Sequence, residues 1–98
     1  MPRPQKRRRI GWKPHYNEFG PKGVGNVGFI ELSLAEYETI RLIDKEGMTQ
    51  EECAKSMEVA RTTVQGIYRE ARKKIASALI DGLTLVVEGT DYQKNKSL

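Results

Sequence analysis

Cysteine, histidine and tryptophan occur once each in 98 residues, as Cys53, His15 and Trp12. A lone cysteine excludes an internal disulfide and fits a reducing compartment. His15 has no His or Cys partner at ligand spacing, so no metal is expected. Without a nucleophile and a group to orient it, no catalytic triad can be argued either. The chain has no apolar run near the ~20 residues of a membrane span, so no membrane contact is expected. Its basic start is not followed by the apolar stretch of a secretory signal. A cytoplasmic, nucleoid-associated protein is the expectation that follows. Paired carboxylates and a phosphate-cradling loop are also missing, so neither an enzyme nor a cofactor is expected. Residues 23–28 do spell the glycine pattern of a dinucleotide-binding turn, Gly23-Val24-Gly25-Asn26-Val27-Gly28. That pattern needs a strand before it and a helix opening at it. Here a proline-rich arm precedes it and a strand-like run follows, so it reads as a flexible loop.

What the chain does have is segregated charge. The net charge of +4 and pI of about 9.3 are only mildly basic. Residues 1–23, however, hold seven bases against Glu18 alone, residues 24–58 hold eight acids against three bases, and residues 59–75 hold five bases against Glu70. Two basic blocks around an acidic one suit a nucleic-acid binder with a defined face. With 38% hydrophobic residues the chain can bury one modest core, hence one folded domain.

Residues 1–28 read as a basic arm and loop, 29–90 as the folded domain and 91–98 as a polar tail. Four prolines, all within the first 21 residues, break any helix in the arm. Trp12, Tyr16 and Phe19 lie among its charges, so part of it should pack on the domain. Residues 29–32 and 83–88 are β-prone and are expected to form a short two-strand pair, within one chain or across a dimer. Ser33 and Glu36 form a capping box that opens a first helix, with Leu34, Tyr37, Ile40 and Ile43 on its apolar side and Gly47 as its stop. Thr49 and Glu52 form a second box, and Cys53, Ala54 and Met57 give that second helix a buried side. After Glu58-Val59-Ala60 a third helix runs from about Arg61 to Asp81, capped by Gly82. Its apolar stripe is Val64, Ile67, Tyr68, Ala71, Ile75, Ala78 and Leu79.

Helices two and three have the spacing of a helix-turn-helix, placed at residues 48–79. A small residue must sit where the third helix crosses the second, and Ala54 supplies it. Val64 and Ile67 plug the angle from the third helix, while Val59 fills the turn. The third helix is then left projecting, as major-groove entry requires. The stretch from Leu32-Ser33-Leu34 through Gly47-Met48-Thr49-Gln50-Glu51-Glu52-Cys53-Ala54 to Arg61-Thr62-Thr63-Val64 and Ala71-Arg72-Lys73-Lys74-Ile75 resembles region 4 of sigma-70-type factors. The opening Pro2-Arg3-Pro4, the run 34–47, the run 71–79 and Val87-Glu88-Gly89 resemble the family called domain of unknown function 134, over nearly the whole chain. That resemblance implies a DNA-binding protein. The chain departs from the pattern at Glu58, where the turn commonly holds glycine, and at Ala60, where serine often caps the third helix. Arg7 and Gly11 stand where members often carry cysteines, which argues against a metal-bound arm.

The fold class expected is therefore mainly α: a three-helix, sigma-70 region-4-like helix-turn-helix with a short two-strand β pair and a basic N-terminal arm. The function expected is DNA binding with transcriptional regulation, by a homodimer or higher oligomer on double-stranded DNA. Opposite the buried face of the third helix, Arg61, Thr62, Gln65 and Arg69 are assigned to bases. Gln65 suits adenine, and the arginines suit guanine. Thr49, Thr63 and Lys73 are assigned to phosphates, as are Arg3, Lys6, Arg7, Arg8 and Arg9 of the arm. The amides opening helix two are expected to add an anion site. Gly66 either admits close approach to DNA or is neutral. Arg72, at the edge of the buried stripe, is expected to pair with Glu36 or Glu38 of the first helix. Two alternatives stay open. One is a protein-interaction module that docks on the transcription machinery through the acidic block 24–58, and the other is an RNA binder that uses the arm.

Overall fold

The structure, a computed structural model, describes residues 14–23, 25 and 27–88. In chain order these form strand β1 (Glu18–Phe19), strand β2 (Phe29–Leu32) and helix α1 (Leu34–Thr39), which runs on into a π-helical segment (Ile40–Lys45). Helix α2 (Gln50–Met57), helix α3 (Arg61–Asp81) and strand β3 (Thr84–Val87) follow. The architecture is mainly helical with one small sheet. The glycine-rich loop leads directly into β2, with no helix opening at it.

The expected strand pair forms within one chain, and it is parallel: Phe29 lies opposite Thr84 and Leu32 opposite Val87. Parallel neighbours need a long crossover, and here the whole helical region supplies it. The sheet has a third strand. β1, from the segment read as an arm, pairs antiparallel with β3, Glu18 opposite Val86 and Phe19 opposite Leu85. β3 is thus central.

Both capping boxes are made. Ser33 Oγ accepts the Glu36 amide at 3.0 Å while the Glu36 carboxylate accepts the Ser33 amide at 2.8 Å. Thr49 and Glu52 exchange the same bonds at 3.0 and 2.9 Å. Four N–H groups have no intrahelical partner at a helix start, and each box satisfies two of them while fixing the entry of the chain. Past Thr39 the first helix widens, so that the Arg41 carbonyl accepts the Glu46 amide five residues on at 2.9 Å. Gly47, at φ +83°, ends it.

The link between α2 and α3 is three residues long. Glu58 takes the left-handed conformation (φ 61°, ψ 45°) that glycine usually fills. Its amide donates to the Lys55 carbonyl at 3.2 Å and the Val59 amide to the Ala54 carbonyl at 3.1 Å. Ala60 then opens α3 with no side-chain cap. At the far end Gly82, at φ +73°, donates to the Ala78 carbonyl at 3.0 Å.

Two apolar cores share α3. One joins Ala35, Leu42, Cys53, Ala54, Met57 and Val64, with Val59 and Ile67 packed against them. The other joins Leu32, Ala71 and Val87, flanked by Leu34, Tyr37, Ile40 and Leu85. Small side chains, Ala54 and Ala71, lie buried where α3 meets its neighbours. Glu38 is fully buried and is answered by Arg41, whose Nε and Nη2 donate to its two oxygens at 3.1 and 2.9 Å. The Thr39 hydroxyl donates back to the Glu36 carbonyl at 2.8 Å, so this buried group is satisfied too.

One expectation needs correction. Leu79 was placed in the buried stripe of α3, but it is 78% exposed, as is Ile80. Leu79 lines an open hollow with Phe19, Gly20 and Pro21, which leaves it largely exposed. Among the described residues no helix is long and apolar enough to cross a membrane.

Candidate nucleic-acid interface

Burial on α3 is one-sided. Val64 and Ala71 are fully buried, whereas Arg61, Thr62, Thr63, Gln65, Arg69, Arg72 and Lys73 are exposed. At about 100° per residue, Thr62, Gln65, Arg69 and Lys73 lie together on the side opposite Val64 and Ala71. Arg61 and Thr63 flank them in the first turn. The structure therefore brings together all four residues expected to read bases, with two of those expected to meet phosphate, Thr63 and Lys73. Among the described residues Arg61, Arg69 and Lys73 enter no salt bridge.

Gly66 sits on the same side. A Cβ built on it would meet nothing within 4 Å. No internal contact requires glycine there.

The remaining phosphate candidates fare differently. Thr49 is exposed, but its oxygen already serves as the cap of α2. At the start of α2, where an anion site is expected, the capping box already engages the Thr49 and Glu52 amides. Glu51 and Glu52 place two carboxylates in that turn. The start of α3 is the opposite case, with neither a side-chain cap nor an acid in its first turn. Arg3, Lys6, Arg7, Arg8 and Arg9 lie outside the described residues.

The expected Arg72 pairing is corrected. Glu36 is met by Lys74, whose ammonium donates to Glu36 Oε1 and to the Glu31 carbonyl, both at 2.9 Å. Glu38 is met by Arg41. Arg72 Nε instead lies 3.8 Å from Asp44 Oδ2, and its guanidinium stands 5.3 Å from the centre of the Tyr68 ring. The Tyr68 hydroxyl donates to Asp44 Oδ1 at 2.7 Å, a bond that pushes its pKa up. Asp44 reaches both from the π-helical segment. No sequence signal marks that segment, so this cluster was not foreseen.

The other perturbed groups lie in the core. Burial pushes the Cys53 thiol and the Tyr37 phenol up. The hydrogen bond to Glu38 raises Arg41. Among the described residues no three His, Cys, Asp or Glu side chains converge as a metal would need.

A profile of the family described as "Protein of unknown function DUF134" matches residues 1–95. The chain is 56% identical over 95 residues to a UPF0251 protein of Desulfitobacterium hafniense strain Y51, across 95% of this chain and 76% of the relative. It is 48% identical over 98 residues to a UPF0251 protein of Halothermothrix orenii, across 98% and 73%. A UPF0251 protein of Caldicellulosiruptor bescii is 47% identical over 92 residues, across 94% and 65%. No solved structure matches the chain significantly.

Proposed function

The chain belongs to the family of the protein of unknown function DUF134, and from that premise we propose that it binds double-stranded DNA and reads it through α3 as a transcriptional regulator. The observation that carries this reading is the exposed side of α3, where Arg61, Arg69 and Lys73 stand around Thr62 and Gln65 with no salt bridge among the described residues. Surface cations on a folded domain are commonly paired or scattered. Five residues able to hydrogen-bond base edges or phosphates, on one side of one rod, suit the major groove. The crossing of α2 and α3 at Ala54, Val59 and Val64 is what turns that side outward. The resemblance to sigma-70 region 4 supports the same docking.

One α3 covers few base pairs, so the reading includes a homodimer on a repeated site. Exposed Leu79 and Ile80, at the opposite end of α3, supply apolar surface for such pairing. A nucleoid location would follow. The same exposed apolar side chains favour the second reading, a module that docks on the transcription machinery.

The test is selection of bound fragments from a random duplex pool, with affinity followed over a salt series. An enriched motif whose affinity falls steeply with salt is expected. Weak binding with no enriched motif, beside salt-insensitive capture of a protein partner, would replace this reading with the docking module.

A further inference from the structure

Arg72 is held on two sides and open on a third. Its Nε faces Asp44 Oδ2 at 3.8 Å, and its guanidinium lies over the Tyr68 ring at 5.3 Å. Asp44 is itself fixed, because its other oxygen accepts the Tyr68 hydroxyl at 2.7 Å. Tyr68 and Arg72 are four residues apart on α3 and so are neighbours on its surface. Asp44 comes from the π-helical segment, where a wider turn re-aims the residues that follow it. Despite these contacts the Arg72 side chain is 63% exposed.

A guanidinium has two edges that can bind bidentately. In Arg72 the carboxylate approaches Nε, and with the side chain 63% exposed the edge formed by the two Nη groups is the one to meet another anion. Arg72 follows Arg69 by three residues and Gln65 by seven, so it extends the row of Arg61, Gln65 and Arg69 along α3. An exposed pair at this distance adds little to stability. A guanidinium held between an aromatic ring and a carboxylate, by contrast, loses less freedom when it takes up a phosphate.

We infer that Arg72 contacts a phosphate of the bound duplex through its Nη edge, and that Asp44 and Tyr68 are positioning residues that hold its guanidinium for that contact. The inference rests on α3 being the DNA-reading helix.

The experiment is fluorescence anisotropy with a labelled random-sequence duplex over a salt series, using the full chain and its variants, with thermal unfolding as the check on folding. Arg72→Ala lowers affinity about tenfold and reduces the slope of log K against log salt by about one. Arg72→Lys restores the slope but not the affinity, because an ammonium neither stacks flat nor binds bidentately. Asp44→Asn lowers affinity about threefold in the wild-type background and has no effect in the Arg72→Ala background.

Tighter binding by Asp44→Asn would overturn the inference, since the carboxylate would then only repel the duplex. An equal loss from Asp44→Asn in both backgrounds would overturn it as well, by making Asp44 merely structural. If Arg72→Ala leaves the slope unchanged while Lys73→Ala lowers it, the inference fails and the DNA reading stands. If the wild-type chain shows no salt-dependent duplex binding, both fail.

Discussion

Lys74 Nζ donates to Glu36 Oε1 at 2.9 Å, the same oxygen that accepts the Ser33 amide at 2.8 Å. One carboxylate oxygen thus completes the cap of α1 and ties α3 to it, and the further bond from Lys74 to the Glu31 carbonyl adds the end of β2. Glu36 is buried, and the Lys74 ammonium is the cation bonded to it. Lys74→Met is expected to destabilise the fold by about 2 kcal/mol, because it leaves a buried carboxylate without its counter-charge. In a Glu36→Gln background, where the cap survives and the charge does not, the same substitution should cost less than half as much. Denaturant unfolding of the four chains measures the difference.

Glu58 pays a steric cost at φ 61° that glycine would avoid. Glu58→Gly is expected to raise stability by about 1 kcal/mol, or roughly 4–8 °C in Tm for a chain of this size. Ala60→Ser should add about 1 kcal/mol by capping the open start of α3. The two sites are two residues apart, so their sum need not be additive. Calorimetry of the single and double variants would show it. Unchanged Tm values in both singles would mean that the turn is already relaxed by its neighbours.

These departures were visible in the sequence, because a turn that wants glycine and a cap that wants serine are local requirements. For the same reason the Ser33/Glu36 and Thr49/Glu52 boxes and the span of α3 were legible. The crossing at Ala54 and Val64 was legible too, since helix–helix contact demands a small residue opposite branched ones. What escaped depends on distant geometry. The spacing of Leu34, Tyr37, Ile40 and Ile43 does not tell an α turn from a π turn, so the place of Asp44 was hidden. Two residues between prolines give no strand signal, so β1 was not foreseen. Arg72 and Lys74 are two residues apart, and only the tilt of α3 against α1 decides which meets Glu36. Leu79 keeps the helical period, but periodicity does not tell that the segment beside it, Phe19 to Pro21, leaves it largely exposed.

The fold should lose stability in alkali. Cys53 and Tyr37 hold their protons more tightly in the folded chain because they are buried, and Tyr68 does so because it is bonded to Asp44. All three are acids with raised folded pKa values, so the unfolded chain releases these protons first. Their contribution is fully present below the ordinary values of 9.0 for the thiol and 10.0 for the phenols, and it declines as pH rises above them. Urea midpoints should fall from about pH 9 upward, and more steeply above pH 10. In Cys53→Ala, whose baseline is lower, the decline should begin only near pH 10.

Gly66→Ala tests whether the open position on α3 matters for contact with DNA. Among the described residues nothing beyond the adjoining turns of α3 lies within 4 Å of the added methyl, and alanine is the better helix former by roughly 1 kcal/mol. The variant should therefore be more stable by about that amount. If the backbone at Gly66 approaches the duplex closely, the more stable protein should bind DNA less tightly. Thermal unfolding and duplex titration of one preparation give both values.

Gln65 and Lys73 share one side of α3 but should fail differently when removed. Gln65 can form a bidentate pair with adenine, and such a pair discriminates by about 1–3 kcal/mol against the wrong base. Gln65→Ala, and likewise Arg69→Ala for guanine, should relax one position of the selected motif and leave the salt slope nearly unchanged for Gln65. Lys73, two turns further along, meets phosphate in this reading. Lys73→Ala should weaken every duplex by a similar factor, reduce the salt slope by about one and leave the motif intact. Repeating the pool selection and the salt series with each variant separates the two behaviours. If Gln65→Ala and Arg69→Ala both return the wild-type motif while removal of Lys6–Arg9 abolishes binding, the sequence is not read by this helix face, and the basic segment is what holds the duplex.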